Sequence, residues 1–140
     1  MFANARIFEE QLNQVTRTSV LGKAQVLEHQ LLREGDPTRR LVADLIVLPG
    51  EGEFAGRPIV LEFKFSRTTT LPHSIVLGAL QQFAAIRTAN PDQRPRFVLV
   101  TNGRVRDSSG VPTDVSIVDS VRNRNVWKLK LDEVVFGKVL

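Results

Sequence analysis

The sequence contains no cysteine and only two histidines, His29 and His73, among its 140 residues. Without cysteine, neither a disulfide framework nor a thiolate metal site can form. The two histidines have no partner at ligand spacing, which argues against a zinc site. No apolar run approaches the ~20 residues of a membrane span, and the first residues lack the apolar segment of a signal peptide. We therefore expect a soluble, cytoplasmic protein without a membrane partner.

The composition indicates one domain of moderate positive charge. Hydrophobic residues make up 42% of the chain, which is enough for one domain with a core, and the net charge is +4. Many arginines fall in predicted loops or at the ends of predicted elements, where their planar, permanently charged groups suit phosphate contacts. Charge alone leaves two interpretations open, a nucleic-acid-binding surface and an ordinary solvated one.

Hydrophobic spacing predicts two helices before the first strand. The first helix is expected over residues 3–15, with Asn4 as its cap. A second helix is expected over 18–34. The first strand is expected over 40–48, with Asp44 as the one polar side chain in its middle.

The later elements alternate between strands and helices. In chain order they are a turn over 49–58, a strand over 58–66, a helix over 74–89 with Ser74 as its N-cap, a strand over 96–101, strands over 115–118 and 126–131, and a helical turn after residue 131. Trp127, in the last of these strands, is interpreted as a core residue. This order predicts an α/β fold, a central mixed sheet flanked by helices, in one domain over 1–140. Its core would span about 18–101, followed by a C-terminal part over 113–140.

The strand over 58–66 carries charge in an otherwise apolar run. Side chains alternate along a strand, so Glu62 and Lys64 share one face. Burying charge in the middle of a sheet costs several kcal/mol per ion unless the charge is paired or coordinates a cation. Asp44 lies in the preceding strand, and consecutive strands are usually neighbours, so the three ionisable groups are expected to converge.

Two close carboxylates with a lysine suit phosphodiester chemistry. All-oxygen ligation by Asp44, Glu62 and the backbone carbonyl of Phe63 would suit Mg²⁺ or Mn²⁺. Lys64 would then orient or deprotonate an attacking water and stabilise charge on the phosphate. The structural alternative is an ion-pair cluster in an ordinary interaction domain, without activity.

Asp44, the intervening turn and the run Ile-Val-Leu-Glu-Phe-Lys-Phe around Glu62 resemble the PD-(D/E)xK nucleases. This superfamily, which has the restriction-endonuclease-like fold, includes restriction enzymes, Holliday-junction resolvases and RecB-type exonuclease domains. The resemblance implies a helix, strand, strand, helix, strand core. It also implies that Asp44 and Glu62 bind Mg²⁺ and that Lys64 acts on the water.

The resemblance implies a DNA substrate and a hydrolase, with structure-directed roles such as resolution, repair or defence. Arg67 and Thr68, just past the lysine, are predicted to contact the phosphate backbone. Gln82, on the helix after the lysine, is predicted to face the site and to contact the nucleic acid, although the tyrosine of the RecB-like pattern is absent four residues later. Glu28, on the predicted second helix, is interpreted as solvated rather than as a third ligand.

A domain this small has little surface for reading sequence, so specificity is expected from a homodimer, a larger complex or the structure of the substrate. The alternative function is a catalytically silent nuclease-like module that binds nucleic acid or a protein partner.

Overall fold

The structure, a computed structural model, describes residues 2–27 and 43–137. Its elements are, in chain order, α1 (Ala5–Ser19), β1 (Ala24–Leu27), β2 (Leu45–Pro49), β3 (Ile59–Lys64), α2 (His73–Ala89), β4 (Arg96–Thr101), β5 (Val115–Val118) and α3 (Arg124–Phe136). Within these two ranges, no helix has the length and apolar character needed to cross a membrane.

The five strands form one mixed sheet in the order β1, β2, β3, β4, β5. β2 is antiparallel to both β1 and β3, and a hairpin turn joins β2 to β3. β3, β4 and β5 are parallel, and α2 makes the crossover from β3 to β4. The predicted α/β architecture, with a mixed sheet flanked by helices, is confirmed.

Both faces of the sheet are covered by helices. On one face, α1 and α3 pack over the alternate side chains of β3, with Ile59, Leu61 and Phe63 buried against them. On the other face, α2 packs over Val60 and the neighbouring positions of β4. β3 is therefore buried on both sides, as its nearly continuous apolar sequence predicts.

A side-chain cap marks the start of α1 but not that of α2. The side chain of Asn4 accepts a hydrogen bond of 2.9 Å from the amide of Ile7, which confirms its predicted role as the cap of α1. The predicted Ser74 cap is wrong, because α2 already begins at His73 and its N-cap residue, Pro72, makes no side-chain cap hydrogen bond. Proline suits this place since it has no amide hydrogen to leave unpaired.

The predicted second helix over 18–34 is wrong where the structure describes it, because residues 24–27 form the edge strand β1. Its backbone pairs with β2, with Val26 opposite Val47 and Gln25 opposite Leu48. Leu21, expected on the buried face of that helix, is 82% exposed. Pairing with an existing sheet outweighs a short stretch of helical spacing. The remainder of this helix and residues 40–42 of the predicted first strand lie outside the described residues.

The predicted strand over 126–131 is also wrong, because these residues belong to α3. Asn123 caps this helix by accepting hydrogen bonds from the amides of Asn125 and Val126. Trp127 is fully buried as predicted, but its neighbours on the buried face follow at helical spacing, at Leu131 and Val135. The indole nitrogen of Trp127 donates a 2.8 Å hydrogen bond to the hydroxyl of Thr16 on α1, and this bond links α3 to α1.

We expect Trp127→Ala to lower the free energy of unfolding by about 3–5 kcal/mol, because it leaves a cavity between α1, α3 and the sheet. Leu129→Ala is the matched control, since Leu129 lies on the same helix and is 83% exposed. It should change the free energy by no more than about 0.5 kcal/mol. Urea unfolding followed by circular dichroism measures both. Similar losses would contradict the helix, because residues 127 and 129 share a face only in a strand.

Candidate active site

Asp44 ties the start of β2 to the end of β3. It is half-buried and lies in a bend directly before Leu45, not in the middle of a strand as predicted. Its carboxylate oxygen Oδ2 accepts a 2.7 Å hydrogen bond from the amide of Phe63, and its own amide donates a 3.3 Å bond to Oε1 of Glu62. Asp44 therefore lies close to Glu62, as predicted. A bend in the backbone, and not a strand, places its carboxyl group against β3.

Glu62 is buried in the centre of the sheet, with only 2% of its surface exposed. Its Oε1 atom accepts a 2.9 Å hydrogen bond from the side-chain amide of Gln82 on α2. Its Oε2 atom lies 3.6 Å from the ammonium nitrogen of Lys64. The predicted position of Gln82, facing the site from the helix after the lysine, matches this contact.

The surroundings of Glu62 change its acidity. Burial, followed by the negative charge of Asp44, raises the pKa of the Glu62 carboxyl from 4.5 to about 8, while the charge of Lys64 acts in the opposite direction. A side-chain hydrogen bond with Asp44 also favours the protonated form. At neutral pH Glu62 therefore keeps its proton when no cation is bound, because one lysine does not offset the cost of burying its charge beside a second carboxyl group.

Lys64 is the accessible member of this set. It follows Glu62 on the same face of β3, and 36% of its side chain remains exposed. A long, flexible ammonium group at the mouth of the site can reach both Glu62 and a ligand that approaches from solvent. The alternation of side chains along β3 thus places the buried carboxyl group of Glu62 beside the accessible ammonium group of Lys64.

A glutamate on α1 that was not predicted from the sequence, Glu9, also lines the site. Burial and the charge of Asp44 raise the pKa of Glu9, and Lys64 lowers it, so all three groups lie within electrostatic range. Together with Asp44 and Phe63, Glu9 lines a groove of about 580 Å³. The sequence signal for Glu9 is its position directly after the buried Phe8, at the edge of the apolar stripe of α1. Glu28 lies outside the described residues.

The predicted nucleic-acid contacts Arg67 and Thr68 lie beyond the end of β3, outside this groove. Arg67 is exposed, and the hydroxyl of Thr68 donates a 2.8 Å hydrogen bond to the carbonyl of Thr70. Both residues line a separate groove on the same edge of the sheet.

The donor atoms around Asp44 are oxygens, the kind of ligand that Mg²⁺ takes in proteins. Within residues 2–27 and 43–137, no group of three or more acidic, histidine or cysteine side chains is placed to hold a metal. Mg²⁺ does not require one, because it is commonly bound by one or two carboxylates with water in the other positions. The carbonyl of Phe63 points to the same side of β3 as its amide, which Asp44 binds. A divalent charge beside Asp44 and Glu62 would favour the ionised form of Glu62, against the burial and the Asp44 charge that raise its pKa.

Comparison of the chain with models of protein families, with curated proteins and with solved structures gives no match.

We expect the free energy of unfolding, measured in EDTA, to fall as the pH rises from about 4.5 to about 8. The unfolded chain loses the Glu62 proton near its ordinary pKa, whereas the folded chain keeps it until about pH 8. The folded state therefore binds more protons in this window, and stability decreases with pH.

Glu62→Gln should remove this contribution, because an amide does not titrate. Urea unfolding at about pH 5.5 and about pH 8.5 measures the difference. Glu133→Gln, an exposed carboxyl on α3, is the matched control and should keep the wild-type dependence. An unchanged dependence in Glu62→Gln would show that Glu62 does not titrate in this window.

Proposed function

We propose that this protein is a metal-dependent nuclease of the PD-(D/E)xK type that hydrolyses phosphodiester bonds of DNA. The observation that carries the proposal is the cluster of Asp44, Glu62 and Lys64. Asp44 binds the amide beside Glu62, and Lys64 lies 3.6 Å from the Glu62 carboxylate at the accessible side of the site. Two carboxyl groups and a lysine side by side at the end of β3 suit metal-assisted phosphodiester hydrolysis.

The order of elements supports a restriction-endonuclease-like fold. A helix, two antiparallel strands, a crossover helix and a parallel strand follow one another as α1, β2, β3, α2 and β4, with β1 added at the edge. Asp44 lies at the start of β2, and Glu62 and Lys64 lie in β3. The helix that begins this order is α1, in place of the helix expected over 18–34.

Each residue of the cluster has a separate role in the proposed reaction. Asp44 and Glu62, with the Phe63 carbonyl, would hold Mg²⁺ or Mn²⁺, and the bound ion would supply positive charge to the phosphate group under attack. Gln82 holds the Glu62 carboxylate in place through its 2.9 Å hydrogen bond. Lys64 donates hydrogen bonds to the attacking water or to a phosphate oxygen and stabilises the negative charge that develops there.

We expect wild-type protein to cut labelled DNA in Mg²⁺ or Mn²⁺ and not in EDTA. Lys64→Ala should lower the rate by about 100-fold or more, since it removes the group that acts on the water and the phosphate. Asp44→Asn should do the same, because asparagine keeps the hydrogen bond to Phe63 but loses the charge that holds the ion.

A panel of single-stranded, duplex and branched DNA with matched RNA measures these rates and narrows the substrate. Lys130→Ala, an exposed lysine on α3, is the matched control and should cut like the wild type. If wild-type protein binds the panel but never cuts it, the silent binding module replaces the nuclease.

A second prediction concerns the ion itself. Mg²⁺ at millimolar concentration should raise the melting temperature of the wild type by a few degrees, because it binds the folded state. Asp44→Asn should abolish this rise. Asp132→Asn, which removes an exposed carboxylate from α3, should leave it unchanged. Thermal melts with and without Mg²⁺ measure the shift, and an equal rise in all three proteins would exclude Asp44 as a ligand.

A further inference from the structure

A second groove, of about 480 Å³, opens where β3 and β4 end. Its lining includes four arginines and two phenylalanines, namely Arg67, Arg104, Arg106, Arg122, Phe2 and Phe65. We call it the arginine groove. Of the described residues, neither an aspartate nor a glutamate lines it. Segments far apart in the sequence thus bring like charges to one small surface.

The four arginines of the arginine groove are exposed, and none of their side chains forms an ion pair or hydrogen bond with a described residue. Elsewhere in the described chain, Arg87 forms a two-pronged pair with Asp114, with contacts of 2.6 and 2.7 Å. The acids near the groove in sequence have other partners, since Asp107 accepts from Ser109 and Asp119 accepts from the amide of Val105. The groove therefore holds four guanidinium groups, none of which pairs directly with a described carboxylate.

The walls of the arginine groove are held in place by hydrogen bonds. The side chain of Asn102 accepts a 2.6 Å bond from the amide of Ser66 and donates a 2.9 Å bond to its carbonyl. The amide of Arg104 donates a 2.8 Å bond to the carbonyl of Thr69. A Cβ at Gly103 would lie 2.9 Å from the Cβ of Ser66, so the two loops approach this closely only because residue 103 is glycine. A ligand would thus meet loops that are already positioned.

The arginine groove lies next to the candidate active site. Phe65 lines the groove. Phe63, whose amide donates a hydrogen bond to Asp44, lies two residues earlier in the chain. Two residues of extended chain span about 7 Å. One extended ligand can therefore contact both sites at once.

The chemistry of the groove favours a nucleic-acid strand. Guanidinium groups match phosphate oxygens in geometry and charge. Phe2 and Phe65 are only half-buried, so each has a surface on which a base can stack, and a base can reach it only when unpaired. An acidic peptide would match the charge but would leave the two rings without flat partners.

We propose that the arginine groove binds a single-stranded segment of nucleic acid, with Arg67, Arg104, Arg106 and Arg122 on the phosphates and Phe65 stacked on a base. The segment leads its phosphodiester to Asp44, Glu62 and Lys64, and this last step rests on the proposed nuclease function. The structure thereby assigns the residues that hold the substrate. It also assigns a single-stranded substrate rather than a duplex.

The test is fluorescence polarisation with a labelled single-stranded 12-mer in EDTA, where no metal-dependent cleavage occurs. Arg104→Gln/Arg106→Gln should weaken binding by about 10-fold or more. It should also reduce the slope of log K against log salt by about 1.4, which is about 0.7 for each lost phosphate contact.

Arg94→Asn is the matched control, because Arg94 is exposed before the start of β4, at the opposite edge of the sheet. Asparagine tolerates the positive φ of 49° at this position. It removes one charge and should leave the affinity and the salt slope of the wild type nearly unchanged.

Strandedness is tested with a duplex and with an abasic strand of the same length. The single strand should bind more tightly than either, and Phe65→Leu should lower its affinity about 5-fold or more. Thermal melts of Phe65→Leu check that it folds, since Phe65 also contacts Phe8, with ring centroids 6.0 Å apart. Tighter binding of the duplex, or equal binding of the abasic strand, would overturn the stacking interaction.

The two proposals fail in different ways. If the Arg104→Gln/Arg106→Gln variant binds as tightly as the wild type, or if the wild type does not bind, the proposal for the arginine groove is overturned. This holds even if metal-dependent cleavage is observed. Arginine-dependent binding of single strands without cleavage by the wild type would support the groove and overturn the nuclease.

Discussion

Two hydrogen bonds of Asp44 join the start of β2 to β3, and the candidate active site depends on them. The Asp44 carboxylate binds the amide of Phe63 at 2.7 Å, and the Asp44 amide binds Glu62 at 3.3 Å. β3 cannot adjust to this arrangement, because it pairs with a strand on each side and is covered on both faces. The backbone at Asp44 therefore bends, and this bend holds the Asp44 carboxyl group beside that of Glu62.

The cost of this arrangement is visible at Glu62. The Glu62 carboxyl is only 2% exposed and has a second carboxyl beside it, and its pKa is raised to about 8 although Lys64 lies 3.6 Å away. Apolar side chains of similar size at this point of the sheet would be as stable or more stable. Clusters of this kind, in which burial and a neighbouring charge shift a pKa by several units, are concentrated at functional sites. This reasoning favours a cation-binding and phosphate-binding role over a structural ion pair.

The sheet topology explains why the site and the arginine groove are neighbours. β3 and β4 are parallel, so their carboxyl ends meet at one edge, and the start of the antiparallel β2 lies at that edge too. Ligands of open α/β sheets bind in the crevice outside the carboxyl ends of the strands. Here one such loop carries Arg67 and the next carries Arg104 and Arg106.

Several elements could be predicted from the sequence alone because their signals are local. Two strands, at 59–64 and 96–101, and the helix over 73–89 follow from hydrophobic runs between turn residues, and the shared face of Glu62 and Lys64 follows from the alternation of a strand. β1 and α3 could not be predicted, since short apolar segments adopt the form that their neighbours pair with or pack against. The approach of Glu9 to Asp44, and of Arg122 to Arg67, joins residues separated by dozens of positions. Only the folded chain decides such contacts, because the free energy that brings those segments together comes from burying the core and completing the sheet.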